Sequence, residues 1–309
     1  MKSGVIALLC ACLALWSGFA HADNDATPDA IAQAAAPNRG ALYRIRHLGN
    51  TAYLFGTIHV GKPAFFPLSA EVNHALARAG KLVLEIDIRQ AEPFQQALHK
   101  HGIYPVGDSV DRHLSTDSLM QLQQALQAFG IPFGDVKHLK PWLLANMLIG
   151  LDLERNGYQR SHGIEVFLLS LADTQAKTVD ELESAEYQMS LFDAMSDAMQ
   201  EQYLRENLAE LGDGNALKKA QALIDAWEKA DIDAVEAFVR ESVGEKTISS
   251  EFTRRVLLDK RNPEMANKIE TLLRNDETTF VGVGLLHMVG ETGVPILLRQ
   301  KGYEVEKLY

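Results

Sequence analysis

Cysteine is nearly absent from this chain of 309 residues: there are two, Cys10 and Cys12, both within the first apolar segment. Beyond that segment there is no thiol, which excludes disulfides, a cysteine nucleophile and Cys-ligated metal from the folded part. Basic charge is also scarce. Lys and Arg number 30 against 41 Asp and Glu, a net charge of −11, so no nucleic-acid partner is expected. After Gly4–Ala20 no run approaches a membrane span. Gly-x-Ser-x-Gly, the P-loop and the dinucleotide glycine fingerprint do not occur, which removes support for serine-hydrolase, nucleotide or NAD chemistry. Asp231-Ile232-Asp233 lacks the glycine and the later glutamate of a calcium loop.

What is present begins with a positive Met1-Lys2, the uncharged Gly4–Ala20 and a small-x-small Ala20-His21-Ala22. That is the layout of a cleaved signal peptide over residues 1–22. The protein is therefore expected to be exported, periplasmic or secreted, with no stable membrane insertion after cleavage. An uncleaved anchor and a lipoprotein-type cut at Cys12 are the alternatives. Residues 23–40, rich in Ala, Asp and Pro, read as a disordered leader. One domain is then expected over 41–309. The full chain's 47% hydrophobic content is that of a globular protein.

Within it, two β-rich runs, around Leu42–Arg46 and Thr51–Val60, flank Gly49-Asn50 and predict a hairpin. Ser69 caps a predicted helix through Arg78, Gly80 ends it, and Lys81–Ile88 is strand-like. The order strand, helix, strand predicts a βαβ unit. Thr278–Val283, Val294–Gln300 and Tyr303–Leu308 repeat that order at the C-terminus. Between the two units, about 115–274 shows mostly helical spacing, at Asp117–Phe129, Pro141–Ile149, Ile164–Ala172, Ser190–Leu211 and Asp233–Val243. The fold class expected is α/β, with a large helical layer inserted between two βαβ-containing halves of a central sheet.

Two loops match. Gly56-Thr57-Ile58-His59 and Gly284-Leu285-Leu286-His287 both place Gly-x-x-His at the end of a predicted strand. Ligand sites in open α/β sheets form at such strand ends. Glu85 lies in an apolar strand, where a carboxylate must be paired, protonated or bound to a metal. Strand alternation would put Asp87 on the same face. Each histidine alone also reads as a hydrogen-bonded core residue, and Glu85 alone as an ion-pair partner. Two histidines and one carboxylate at adjacent strand ends point further, to a divalent-metal site that activates water. His99 and His101, either side of Lys100, read as loop residues; His47, His74, His113 and His138 are scattered singles.

These motifs, with Leu84-Glu85, His162-Gly163-Ile164-Glu165, Leu182–Gln188 and Arg261–Ala266, resemble the TraB/GumN family, which includes the Wnt-cleaving Tiki proteases. The resemblance runs from about Leu42 to Leu308 and implies a Tiki-like fold. It also implies a peptidase-like hydrolase dependent on manganese or cobalt, with zinc possible as the metal. His59 and His287 would be metal ligands, and Glu85 a ligand or the general base. Arg261 would neutralise an oxyanion or hold a substrate carboxylate, or else pair with an acid near the helix starting at Pro263. Glu183 and Gln188 match the family pattern, whereas Glu165 stands where many relatives carry Asp. The partner expected is a peptide or small-molecule substrate. Two other functions compete: a non-catalytic binder of a peptide or small ligand, as in the family's pheromone-inhibiting branch, and a metal-free esterase-like hydrolase.

Overall fold

The computed structural model describes residues 36–275 and 277–309. The expected signal peptide and most of the expected leader lie outside the described residues. Residues 36–40 approach the domain with Arg39 donating to the carbonyls of Ala64 and Phe65, and with Gly40 N–H donating to Trp227 O at 2.7 Å.

The hairpin forms as the sequence indicates: β1 (Leu42–His47) and β2 (Asn50–Thr57) pair antiparallel from Leu42 opposite Phe55 to His47 opposite Asn50. The turn falls on Leu48 and Gly49, both at positive φ, as a tight two-residue hairpin turn requires. α1 (Ala70–Arg78) starts on Ser69, whose side chain accepts from Val72 N–H. Strand β3 then covers Lys81–Leu84, shorter than the apolar run through Ile88. Backbone pairing to the next strand continues past Leu84, but the regular strand does not, so the expected common face of Glu85 and Asp87 is not realised. Asp87 instead pairs with Arg89 at 2.6 Å.

The sheet has six strands in the order β4-β3-β5-β2-β1-β6, with β4 at Thr178–Glu181, β5 at Thr279–Gly284 and β6 at Glu304–Lys307. β5 lies between β2 and β3 and is parallel to both. Its residues and Leu82–Leu84 are buried throughout, the continuous apolar run expected of a parallel strand covered on both faces. β6 is antiparallel to β1 and so runs in the direction of β5. Each βαβ crossover thus skips at least one neighbour: β5 intervenes in the first, β2 and β1 in the second. The architecture is mixed α/β, with a helix-rich layer over a single sheet.

That layer contains α3 (Thr116–Phe129), α4 (Pro141–Arg155), α5 (Ile164–Thr174), α6 (Ala185–Asp193), α7 (Asp197–Gly212), α8 (Asn215–Glu228), α9 (Ile232–Val243) and α10 (Arg261–Leu272). The expected Ser190–Leu211 helix is two helices, because Ser196 caps α7 by accepting from Met199 N–H. The expected loop around His99 and His101 is the last turn of a helix, Ala91–His101, which we number α2. Its Pro93 lies in the first turn, where a missing N–H costs nothing. β4 also falls inside the expected helical stretch and forms a sheet edge. After β5, α11 (Val294–Gln300) returns the chain to β6.

The layer has its own aromatic core, with Trp142 stacked on Phe192 at 5.0 Å and Phe192 against Phe252 at 4.9 Å. It is tied to the sheet by Trp227, fully buried, whose indole N–H donates to Gly56 O at 2.9 Å. Burying a large aromatic with its one donor satisfied stabilises without an orphaned polar group. No helix among the described residues is long and apolar enough to cross a membrane.

Candidate functional site

The two Gly-x-x-His loops end at one level because β2 and β5 are adjacent and parallel, with Gly56 registered opposite Val283 and Thr57 opposite Gly284. The two glycines serve different ends. A Cβ on Gly56 would come within 2.8 Å of Leu285 Cδ1, so its absence lets the turn Leu285–Met288 pack on β2. Gly284 instead contributes its N–H, donated to Glu85 Oε1 at 2.7 Å.

Glu85 reaches the same place from β3. Leu182 N–H donates to Leu84 O and Glu183 N–H to Glu85 O. These two bonds extend the β3–β4 pairing beyond the strands and set Glu85 beside Glu183. Ser184 then caps α6 by accepting from Tyr187 N–H at 3.1 Å. One turn on, Gln188 Nε2 donates to Glu85 Oε2 at 3.1 Å and to Glu183 Oε2 at 2.9 Å.

Arg261 joins the two carboxylates. Its Nη2 donates to Glu85 Oε2 at 2.5 Å and Glu183 Oε2 at 2.7 Å, and its Nε to Glu183 Oε1 at 3.0 Å. The segment delivering it, Thr253–Lys260, is π-helical. Pro263 follows two residues after Arg261; its ring would crowd the carbonyl of Asp259 in a regular α turn, and a widened turn relieves that conflict. Asp259 in turn accepts from Thr292 Oγ1 at 3.0 Å, holding this segment to the loop after β5. Arg261 therefore makes the acid pairing expected near Pro263, with Glu85 and Glu183 as its partners.

The histidines are held from behind. His59 Nδ1 lies 2.8 Å from Glu165 Oε1, which also accepts from Thr57 Oγ1 at 2.5 Å. His287 Nδ1 lies 2.5 Å from Asn262 Oδ1, and its Nε2 stands 3.6 Å from Glu85 Oε1. The His162-Gly163-Ile164-Glu165 motif explains itself here. A Cβ on Gly163 would sit 2.6 Å from His59 O, and Ile164 N–H donates to Ile58 O. That close approach puts Glu165 within reach of His59.

Burial is nearly complete: Glu85 is 3% exposed, Arg261 1% and His287 0%, whereas the His59 side chain keeps 12%. Burial alone would raise the Glu85 pKa; Arg261, helped by His287, His59 and the Gly284 N–H, brings it down to about 2. Burial pushes His287 down to about 3, against the opposing pull of Glu85. Glu165 is also held below the usual carboxylate range, since His59 and Thr57 outweigh its burial. At neutral pH the site therefore holds ionised carboxylates and a neutral His287.

Thus His59, Glu85, His287 and Arg261 come together, with Glu165, Glu183 and Gln188 among them. Thr57 and Asn262 complete the cluster; no local pattern marked either, since each is a single polar residue made functional by its tertiary neighbour. His101 belongs elsewhere, between Asp193 and Glu186 at 3.0 Å each. As a test for a cation, three buried atoms in the cluster lack a hydrogen-bond partner: the candidate ligands His287 Nε2 and Glu165 Oε2, and the amide nitrogen Asn262 Nδ2. A neutral imidazole nitrogen next to an ionised carboxylate is suitable donor chemistry for manganese, cobalt or zinc. Among the described residues, however, no group of three or more His, Cys, Asp or Glu side chains is placed so that it could hold a metal ion.

Uncharacterized protein YbaP of Shigella flexneri is 26% identical over 255 residues, covering 80% of this chain and 88% of its own. Its counterpart in Escherichia coli (strain K12) is 26% identical over 254 residues, covering 80% and 87%. Metalloprotease TIKI2 of Xenopus tropicalis is 25% identical over 307 residues, covering 82% of this chain and 57% of its own length. No solved structure gives a significant match. The TraB/PrgY/gumN family profile matches residues 41–307, from the start of β1 to the end of β6, and the chain belongs to that family.

Proposed function

We propose that the protein is an exported, metal-dependent hydrolase of the peptidase kind, working at the carboxyl ends of β2, β3 and β5. The observation that carries this reading is His287 Nε2 standing 3.6 Å from the buried Glu85, with His59, anchored on Glu165, near enough to act on both electrostatically. The similarity to a protein named as a metalloprotease supports the same class.

His59, His287 and Glu85 would hold the cation, manganese or cobalt by family resemblance. When bound it would polarise a scissile carbonyl and acidify water. The chain's own residues do the rest. His59, the member that reaches solvent, meets the substrate first, and Glu165 behind it stabilises a proton gained on the imidazole. Arg261 keeps Glu85 ionised and so keeps its oxygens acceptors. Its fixed guanidinium also offers positive charge to a developing oxyanion. Burial of Glu85, Glu183 and Gln188 keeps bulk water from weakening these interactions.

The Arg261–Glu85 pair favours a second reading, the metal-free esterase-like hydrolase. There the charge of Glu85 is already matched, and His59 backed by Glu165 acts as general base on water. A peptide-library cleavage screen of the purified protein in manganese or cobalt, beside a chelated sample, tests both. Cleavage that needs the metal and is lost in His59→Ala and His287→Ala supports the first. Cleavage of an ester library that survives chelation moves the assignment to the second. No turnover of either library leaves the ligand-binding alternative in place of both.

A further inference from the structure

We propose that Glu165 and Asn262 are positioning residues that fix both site histidines in one tautomer, with hydrogen on Nδ1 and the lone pair on Nε2. The hydrolase reading gives this arrangement its purpose, but the arrangement itself rests on contacts independent of any reaction.

The two loops are backed in the same way. Glu165 is the second residue of α5 and Asn262 the second residue of α10, and each places a side-chain oxygen against the Nδ1 of one histidine. An ionised carboxylate only accepts. Glu165 Oε1 already receives the Thr57 hydroxyl hydrogen, so the hydrogen of the second contact, at 2.8 Å, must come from His59 Nδ1. The alternative sets two lone pairs face to face in a dry site, which costs more than the lost bond alone. Asn262 presents Oδ1 to His287 Nδ1 at 2.5 Å, so the imidazole donates there. A flipped amide would instead donate its Nδ2, which has no other partner, and the Asn262→Asp variant separates the two arrangements. His287 Nε2 is then the bare nitrogen. It is fully buried, lacks a hydrogen-bond partner and stands 3.6 Å from Glu85 Oε1.

The two backing residues come from distant parts of the chain, yet they impose the same outcome. Each imidazole is left with Nε2 as its lone-pair nitrogen, suited to a divalent cation or to an acidic hydrogen of a substrate. Neither Glu165 nor Asn262 need touch substrate; each acts through its histidine.

The test uses the purified full chain labelled with ¹⁵N-histidine. Two-bond ¹H–¹⁵N correlations distinguish the tautomers, and His59→Ala and His287→Ala assign the two signals among 10 histidines. Both should read as the Nδ1–H form. Asn262→Leu should release the tautomer of His287 alone, and Asn262→Asp, an obligate acceptor, should restore it. Glu165→Leu should do the same to His59 alone. A cobalt titration should show Asn262→Leu binding about 10–100-fold more weakly than wild type. An Nε2–H signal assigned to either histidine in wild type overturns the proposal. So does an Asn262→Leu protein with an unchanged His287 signal. If both tautomers are as stated but no substrate is cut, the hydrolase reading fails and the positioning stands.

Discussion

Replacing Arg261 by methionine keeps much of the side-chain volume but removes the guanidinium that Glu85 and Glu183 share. Those carboxylates have side-chain exposures of 3% and 2%, so water cannot replace it. Removing one partner of a buried ion pair costs about 3–5 kcal/mol. The Glu85 pKa points the same way: burial raises it, and Arg261 is the largest of the pulls that hold it below the ordinary carboxylate range. Against a typical total of about 5–15 kcal/mol, Arg261→Met should lower the urea midpoint sharply. The triple variant Glu85→Gln, Glu183→Gln, Arg261→Met, which carries no buried charge at these positions, should recover more than half of the loss. The pH dependence has a fixed sign. Because the folded pKa of Glu85 is depressed, its stabilisation is complete above 4.5 and is lost as pH falls toward 2. In Arg261→Met, burial raises that pKa, so protonation relieves the fold instead. The gap between wild type and variant should therefore narrow as pH falls from 7 through 4.5. Circular dichroism in urea at several pH values measures this. An Arg261→Met protein within about 1 kcal/mol of wild type at pH 7, or a gap that widens in acid, would refute the reasoning.

Three further outcomes follow from neighbouring contacts. His287 has a folded pKa of about 3 against an ordinary 6.5. Wild type should therefore lose stability as pH falls from 6.5 toward 3, and His287→Gln should lack up to one proton of that slope, about 1.4 kcal/mol per pH unit, read from urea unfolding. Gly163→Ala would place a Cβ 2.6 Å from His59 O, and the overpacking should cost about 1–3 kcal/mol in urea unfolding; a neutral substitution would show that the loop yields. Glu206 accepts from Ile248 N–H, Ser249 N–H and Ser249 Oγ. Glu206→Ala should therefore destabilise by about 1–3 kcal/mol, with a lowered urea midpoint as the check.

Much of the frame was legible because it is local. The hairpin followed from β-rich runs flanking a glycine turn, and α1 from the Ser69 cap and a helical period ended by Gly80. His59, His287 and Glu85 stood out because Gly-x-x-His recurred after two strands and a carboxylate interrupted a third, whereas Arg261 was singled out only by the family resemblance. What escaped is tertiary. Four-residue β4, with only Val179 and Glu181 half-buried, carries too short a pattern to separate from the helices around it. Asp87 was misplaced because alternation holds only while the strand does, and β3 stops at Leu84. Helix α2 was missed because His99-Lys100-His101 reads as a polar loop, although these residues form its last turn. Thr57 and Asn262 have no periodicity to betray them. Each matters because another segment brings Glu165 or His287 within hydrogen-bond reach.

Divalent-metal binding by the purified protein, measured beside folded His59→Ala and His287→Ala, tests the central claim most directly. The account predicts about one manganese or cobalt ion per wild-type chain, with binding lost in each variant, because the two loops and Glu85 form one site. Wild type without useful affinity for any divalent metal would contradict the metal-dependent reading and return these histidines to metal-free chemistry or to a binding pocket.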